Sequence, residues 1–173
     1  FLLGPGNVVG NVTSSAIVSP SVGSPHRNAQ PGQLNLFGDL TLTPGAYTLF
    51  EIGGVAQGLN YDFLSVSGSA TLGGSQLALA FTNNFQTFVT GANTFTLLSS
   101  SSLSGVFGNA ANGARLLTAD GFGSFQVNYG SSSIFSSSSL IISDFVPIPE
   151  PSTYVLLGFG ALALAASRRF RRS

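Results

Sequence analysis

The chain has 173 residues, room for one domain with a core able to stand alone. Only 7% of them are charged, against roughly a quarter in an average soluble protein, and Lys, Cys, Met and Trp are absent. Two arginines against six carboxylates leave residues 1–150 at −4, while Arg168, Arg169, Arg171 and Arg172 make residues 151–173 +4. A body this poor in cations argues against nucleic-acid partners. The lack of cysteine removes disulfides and thiolate metal sites, and the lack of lysine removes the Lys-containing phosphate loop. A polar but nearly uncharged surface of Gly, Ser, Thr and Asn suits an extracellular repeat or adhesive protein better than a cytosolic enzyme.

The chain opens at Phe1 with no basic stretch ahead of an apolar one, so no signal peptide is expected in it, and a fragment of a longer chain is the preferred reading. Residues 1–33 are rich in Gly, Pro, Asn and Ser and predict loops and short extended pieces. From Leu34 the pattern changes to strict alternation. "LNLFGDLTL" puts Leu34, Leu36, Leu40 and Leu42 on one face, with Gly38 marking a bend or close backbone approach. After a Pro44-Gly45 turn, "AYTLFEI" continues the strand pattern.

The design then returns 30 residues on: Leu64, Val66, Gly68, Ala70, Thr71 and Leu72 stand where Leu34, Leu36, Gly38, Leu40, Thr41 and Leu42 stood. Gly73-Gly74 replaces the proline-glycine turn and "QLALAF" parallels "YTLFEI". A repeated alternating unit predicts stacked β-coils, each burying its apolar face on the next; a β-sandwich of hairpins would alternate too. Beyond lie "TFTLLS", "GVFG", "ARLLTA", "SFQVNYG" and "SLIISDFVP", short segments divided by Gly, Asn and Ser. No amphipathic helix of useful length precedes residue 150. The expected fold is an all-β body over 34–146, a parallel β-helix or β-solenoid with the sandwich as alternative, followed by one C-terminal transmembrane helix.

The stretches "SPHRNAQPGQLNLFGDLTL", "FEIGG", "YDFLSVSGSATLGGSQLAL" and "NTFTLLSSSSLSGVFG" resemble the β-rich region of autotransporter-like bacterial surface proteins. The resemblance covers roughly residues 24–108. It implies a right-handed parallel β-helix or its capping end, and no activity.

The tail, 147–173, has three parts in direct succession. Pro147, Pro149 and Pro151 hold the chain extended, so "VPIPEPST" is expected to stay out of the domain, pre-shaped for a protease or transpeptidase cleft. Glu150 places one charge between two prolines, with Ser152 and Thr153 after them. An uncharged run follows: Tyr154, Val155, Leu156, Leu157, Gly158, Phe159, Gly160, Ala161, Leu162, Ala163, Leu164, Ala165, Ala166 and Ser167. As a helix it would span only about 21 Å, short of the roughly 30 Å hydrocarbon core. Arginines able to snorkel at one end and a proline-led first turn at the other extend its reach. The arginine cluster would keep Ser173 in the cytoplasm and the body on the far side of the bilayer. Such a short helix with two glycines reads as a temporary anchor.

This order of Pro149-Glu150-Pro151, Ser152-Thr153, an apolar stretch with central glycine and terminal arginines resembles the PEP-CTERM protein-sorting signal of Gram-negative bacteria. The resemblance implies recognition by a membrane-embedded exosortase, a transpeptidase or protease that cuts near Pro-Glu-Pro. The body would then pass to the cell surface or an exopolysaccharide matrix. An ordinary tail anchor with a proline stalk is the plainer alternative.

Little else points to chemistry. His26 stands alone in a Pro/Ser/Asn loop with no acid within ten residues, which gives a metal site or a Ser-His-Asp triad little to build on. Glu51 and Asp62 are the carboxylates worth weighing, because a pair on a β-helix face could hydrolyse glycosides. Their positions before Gly53-Gly54 and at a strand start favour turn chemistry instead. The Gly-Gly-x-Gly-x-Asp repeat of calcium-binding β-rolls is missing. The serine runs 99–104 and 131–139 read as flexible loops before they read as acceptors of O-linked sugar. The expected protein is non-enzymatic, without cofactor or metal: a structural or adhesive surface protein whose partners are an exosortase and the lipid bilayer, with exopolysaccharide as a further candidate. The alternatives are a polysaccharide-active enzyme and a carbohydrate- or ice-binding module, for which Thr41 and Thr71 are the only clearly repeated pair.

Overall fold

The computed structural model describes residues 1–24 and 27–149. They form a β-solenoid of three complete coils with an antiparallel cap. The first coil is β2 (Gly6–Val9), β3 (Val12–Ser14) and β4 (Ile17–Ser19), preceded by the short β1 (Leu2–Leu3). A hairpin of β5 (Val22–Ser24) and β6 (Arg27–Gln30) leads to the second coil, β7 (Gln33–Phe37), β8 (Leu40–Leu42) and β9 (Tyr47–Ile52). The third coil is β10 (Phe63–Val66), β11 (Ser69–Thr71) and β12 (Gln76–Phe81), and β13 (Phe95–Ser99) with β14 (Ser102–Ser104) begins a fourth. Parallel pairing along β2-β7-β10-β13, β3-β8-β11-β14 and β1-β4-β9-β12 makes the three walls. This in-register parallel stacking displaces the sandwich alternative.

The 30-residue repeat read from the sequence is the register itself, with Leu34 opposite Leu64, Leu36 opposite Val66 and Thr41 opposite Thr71. "QLALAF" lies beside "YTLFEI" residue for residue. Alternation sends Leu34, Leu36, Leu40, Leu42, Leu64, Val66 and Ala70 inward, all at most 3% exposed, so each coil buries the apolar face of the next. The coils turn from the first wall to the second at a repeated glycine. A Cβ on Gly38 would collide with the carbonyl of Gly10, and one on Gly68 would meet that of Gly38. The polar residue after each glycine ties the corners together. Asn11 accepts from the Asp39 N–H at 2.9 Å, and Asp39 accepts from the Ser69 N–H at 2.8 Å.

Residues 6–19, read as loop and short extended pieces, form the first coil and pair strand by strand with the second. The serine run 99–104 is not a flexible loop. It closes β13, turns, and becomes β14, with Thr71 and Ser104 hydroxyls 3.3 Å apart across the ladder.

Candidate functional site at the C-terminal cap

The solenoid ends in β15 (Arg115–Leu117), β16 (Gly123–Asn128) and β17 (Ser139–Pro147), which continue the first wall as antiparallel strands in the order β13-β17-β16-β15. β17 is the segment "SLIISDFVP", read from the sequence as a strand. Its inward residues Leu140 and Ile142 are fully buried and Phe145 is 5% exposed. Phe145 joins an aromatic cluster, its ring 5.0 Å from that of Phe125 and 5.4 Å from that of Phe81; Phe125 in turn lies 5.9 Å from Phe95. Edge and tilted contacts of this kind add to what burial alone gives. Gly123 lets the cluster close, because a Cβ there would occupy the space of the Phe145 ring.

A bulge interrupts the β16–β17 ladder between Ser124 and Gln126, and opposite it Asp144 takes a left-handed conformation, φ 49°. Arg115 reaches across from β15 to hold this point. Its guanidinium donates to the Asp144 carboxylate at 2.6 Å, to the Asp144 carbonyl, and to the Ser124 carbonyl at 3.0 Å. One arginine thus pins the last strand just upstream of the tail. It makes the single ion pair among the described residues.

The exposed edge of β12 is also closed. The Asn109 amide accepts from the Leu77 N–H at 2.9 Å and donates to its carbonyl at 2.8 Å, as a neighbouring strand would. The Ala119 N–H donates to the Leu79 carbonyl at 2.7 Å, and the Asp120 carboxylate accepts from Phe81 at 2.6 Å. These cap residues had no signal in the sequence beyond an Asn or Asp among glycines. Blocking an edge in this way removes a template for pairing with other chains.

"VPIPEPST" does not stay wholly outside the domain, as its prolines implied. Val146 pairs with Ser124, Pro147 pairs with Gly123, and the Ile148 N–H donates to the Phe122 carbonyl at 2.9 Å. Proline is tolerated because β13 pairs with β17 only as far as Ile142, so from Ser143 onward β17 has a neighbour on one side alone. The fold therefore runs to within two residues of Glu150, with Pro149 exposed between. Glu150, Pro151, Ser152, Thr153, the run Tyr154–Ser167 and the arginines that follow lie outside the described residues, as does His26. Among the described residues no helix is long and apolar enough to cross a membrane.

Glu51 and Asp62 are brought together, but inside the fold. They are 1% and 0% exposed, and no solvent-borne glycan reaches either. Asp62 is a clamp between coils: one carboxylate oxygen accepts from the Gly32 N–H and the other from the Glu51 N–H, both at 2.9 Å. Burial pushes the Asp62 carboxyl up to about 7, further raised by the Glu51 charge and opposed by those two hydrogen bonds and the Ser21 hydroxyl. No group of three or more His, Cys, Asp or Glu able to hold a metal occurs among the described residues.

One outward column does stand in register along the second wall. Thr13, Thr41, Thr71 and Ser104 follow one another across β3, β8, β11 and β14, each at least partly exposed. The sequence reading had only the middle pair.

No curated protein and no solved structure matches this chain. Residues 147–172 match the PEP-CTERM protein-sorting motif, which thus begins at Pro147, the last residue of β17.

Proposed function

We propose that this is a non-enzymatic structural or adhesive surface protein, a β-solenoid body delivered by exosortase through its C-terminal signal. The observation that carries the reading is the complete motif at 147–172, set directly against a closed, self-contained cap. In this reading Pro149, Glu150 and Pro151 are the recognised element and Tyr154–Ser167 holds the precursor in the membrane. The arginines keep the tail cytoplasmic until the body is released to the surface or matrix. The intact mass of the surface form in its native host is expected to fall short of the precursor by most of residues 150–173, and Glu150→Gln with Pro151→Ala is expected to leave the precursor uncut. A surface form still carrying Ser173 overturns the proposal.

A second reading is favoured by the hydroxyl column Thr13-Thr41-Thr71-Ser104, whose members repeat at the strand spacing of about 4.8 Å. An uncharged, regularly spaced row of hydroxyls suits a neutral polysaccharide, which offers hydroxyls at regular intervals and no charge. Replacing Thr41 and Thr71 by Arg puts bulk and charge on the row while leaving the core untouched. The variant is expected to lose retention on matrix polysaccharide without a change in unfolding midpoint; equal retention sinks the binding role. Thermal hysteresis is the readout for ice as the alternative ligand.

A further inference from the structure

The wild-type tail meets its enzyme almost without a leash. A protease or transpeptidase cleft takes its substrate as extended peptide with backbone groups free to pair. Upstream of Pro149 the backbone is already held along one side, so a cleft cannot enclose it. Pro147 and Val146 are in the β16–β17 ladder and the Ile148 N–H is bonded to Phe122. One step further back, Phe145 is locked between Phe81 and Phe125, and Asp144 is held by Arg115. At Ile141 and Ile142 β17 is also an interior strand, paired with β13 on one side and β16 on the other, so drawing it out would open the cap.

We infer that the folded cap sets the upstream limit of processing: the bond that is cut lies on the C-terminal side of Ile148, and β17 remains whole in the mature body. The inference rests on the sorting reading above and sharpens it. In the reaction one backbone C–N bond breaks and the departing tail takes a proton on its new amine. The body's carbonyl carbon bonds to the oxygen of water, or to the nitrogen of an acceptor amine if the body is transferred. Either way the new C-terminus is a few residues from the sheet, and the body sits close against whatever it is joined to.

The test is the C-terminal peptide of the surface form in the native host, identified by mass spectrometry, for the full precursor and for one with a Gly/Ser spacer inserted between Ile148 and Pro149. The precursor is expected to give a single mature end at Pro149 or later. The spacer is expected to raise the processing rate several-fold, because it supplies free backbone upstream of the motif. A mature end at or before Ile148, or a spacer without effect on rate, overturns the limit while leaving sorting intact. A precursor left uncut in both forms overturns the sorting reading instead.

Discussion

Raising the pH from about 5 to about 8 is expected to weaken the body by about 2–3 kcal/mol, the reverse of ordinary acid lability. The cause is Asp62, buried at the junction of Gly32 and Glu51 with its carboxyl pushed up to about 7. In the unfolded chain the same group titrates near 3.8. The folded state therefore holds the proton more tightly. The stabilisation is complete below the unfolded value and is lost as pH rises through about 7. The groups facing Asp62 do not rescue the anion: two backbone N–H groups and the Ser21 hydroxyl favour it, but burial and the Glu51 charge outweigh them. Denaturant midpoints across this pH range check the sign. Asp62→Asn, neutral at every pH, is expected to flatten the profile at a lower overall stability, since its amide accepts from one N–H and opposes the other. A wild-type midpoint that climbs with pH removes this account.

Phe125→Ala is expected to cost about 3–5 kcal/mol, the range for an aromatic ring removed from a packed core. Phe125 is fully buried and its ring touches three others, Phe81, Phe95 and Phe145. Those come from β12, β13 and β17, so the cavity opens at the joint between coil stack and cap. In a solenoid each unit leans mainly on its neighbours, which localises the damage. Hydrogen exchange is expected to show β15, β16 and β17 losing protection while β7, β8 and β9 keep theirs. Uniform loss across all strands would mean that cap and coils fold as one unit.

The coils were legible where the chain obeys one rule at a fixed period. Leu34 to Leu42 and Leu64 to Leu72 alternate around a central glycine, with Phe37 alone apolar on the outward face, and the 30-residue offset is the pairing found in the walls. The first coil escaped because it is shorter and less apolar. Gly6 pairs with Leu34 at an offset of 28, Gly6 and Ser14 stand where the next coil has leucines, and the chain then spends residues on the β5–β6 hairpin. Pro147 misled for a physical reason: proline forbids a hydrogen bond on one side of a strand only, and which side is free depends on where β13 stops. The Asp62 clamp had a signal that could have been used. Asp62 precedes β10 as Gly32 precedes β7, one coil earlier, and the hydrogen bond joins those two equivalent positions. The cap's edge closures lack any periodic trace, because Asn109 and Asp120 each act once, on a strand about 30 to 40 residues earlier.

The Arg115–Asp144 pair has a consequence through what is missing around it. It is the only ion pair among the described residues; the rest of the body is held by apolar stacking and by hydrogen bonds in which the carboxylates of Asp39, Asp62 and Asp120 meet backbone N–H groups rather than cations. Dissolved salt weakens attraction between exposed charges, and here it has almost nothing to act on. From fresh water to brine the coils are expected to change little in strength, and the clamp on the last strand is where salt acts. Exported as proposed above, the body would meet changing salinity with a fold that offers salt a single point of give, at the strand that leads to its tail.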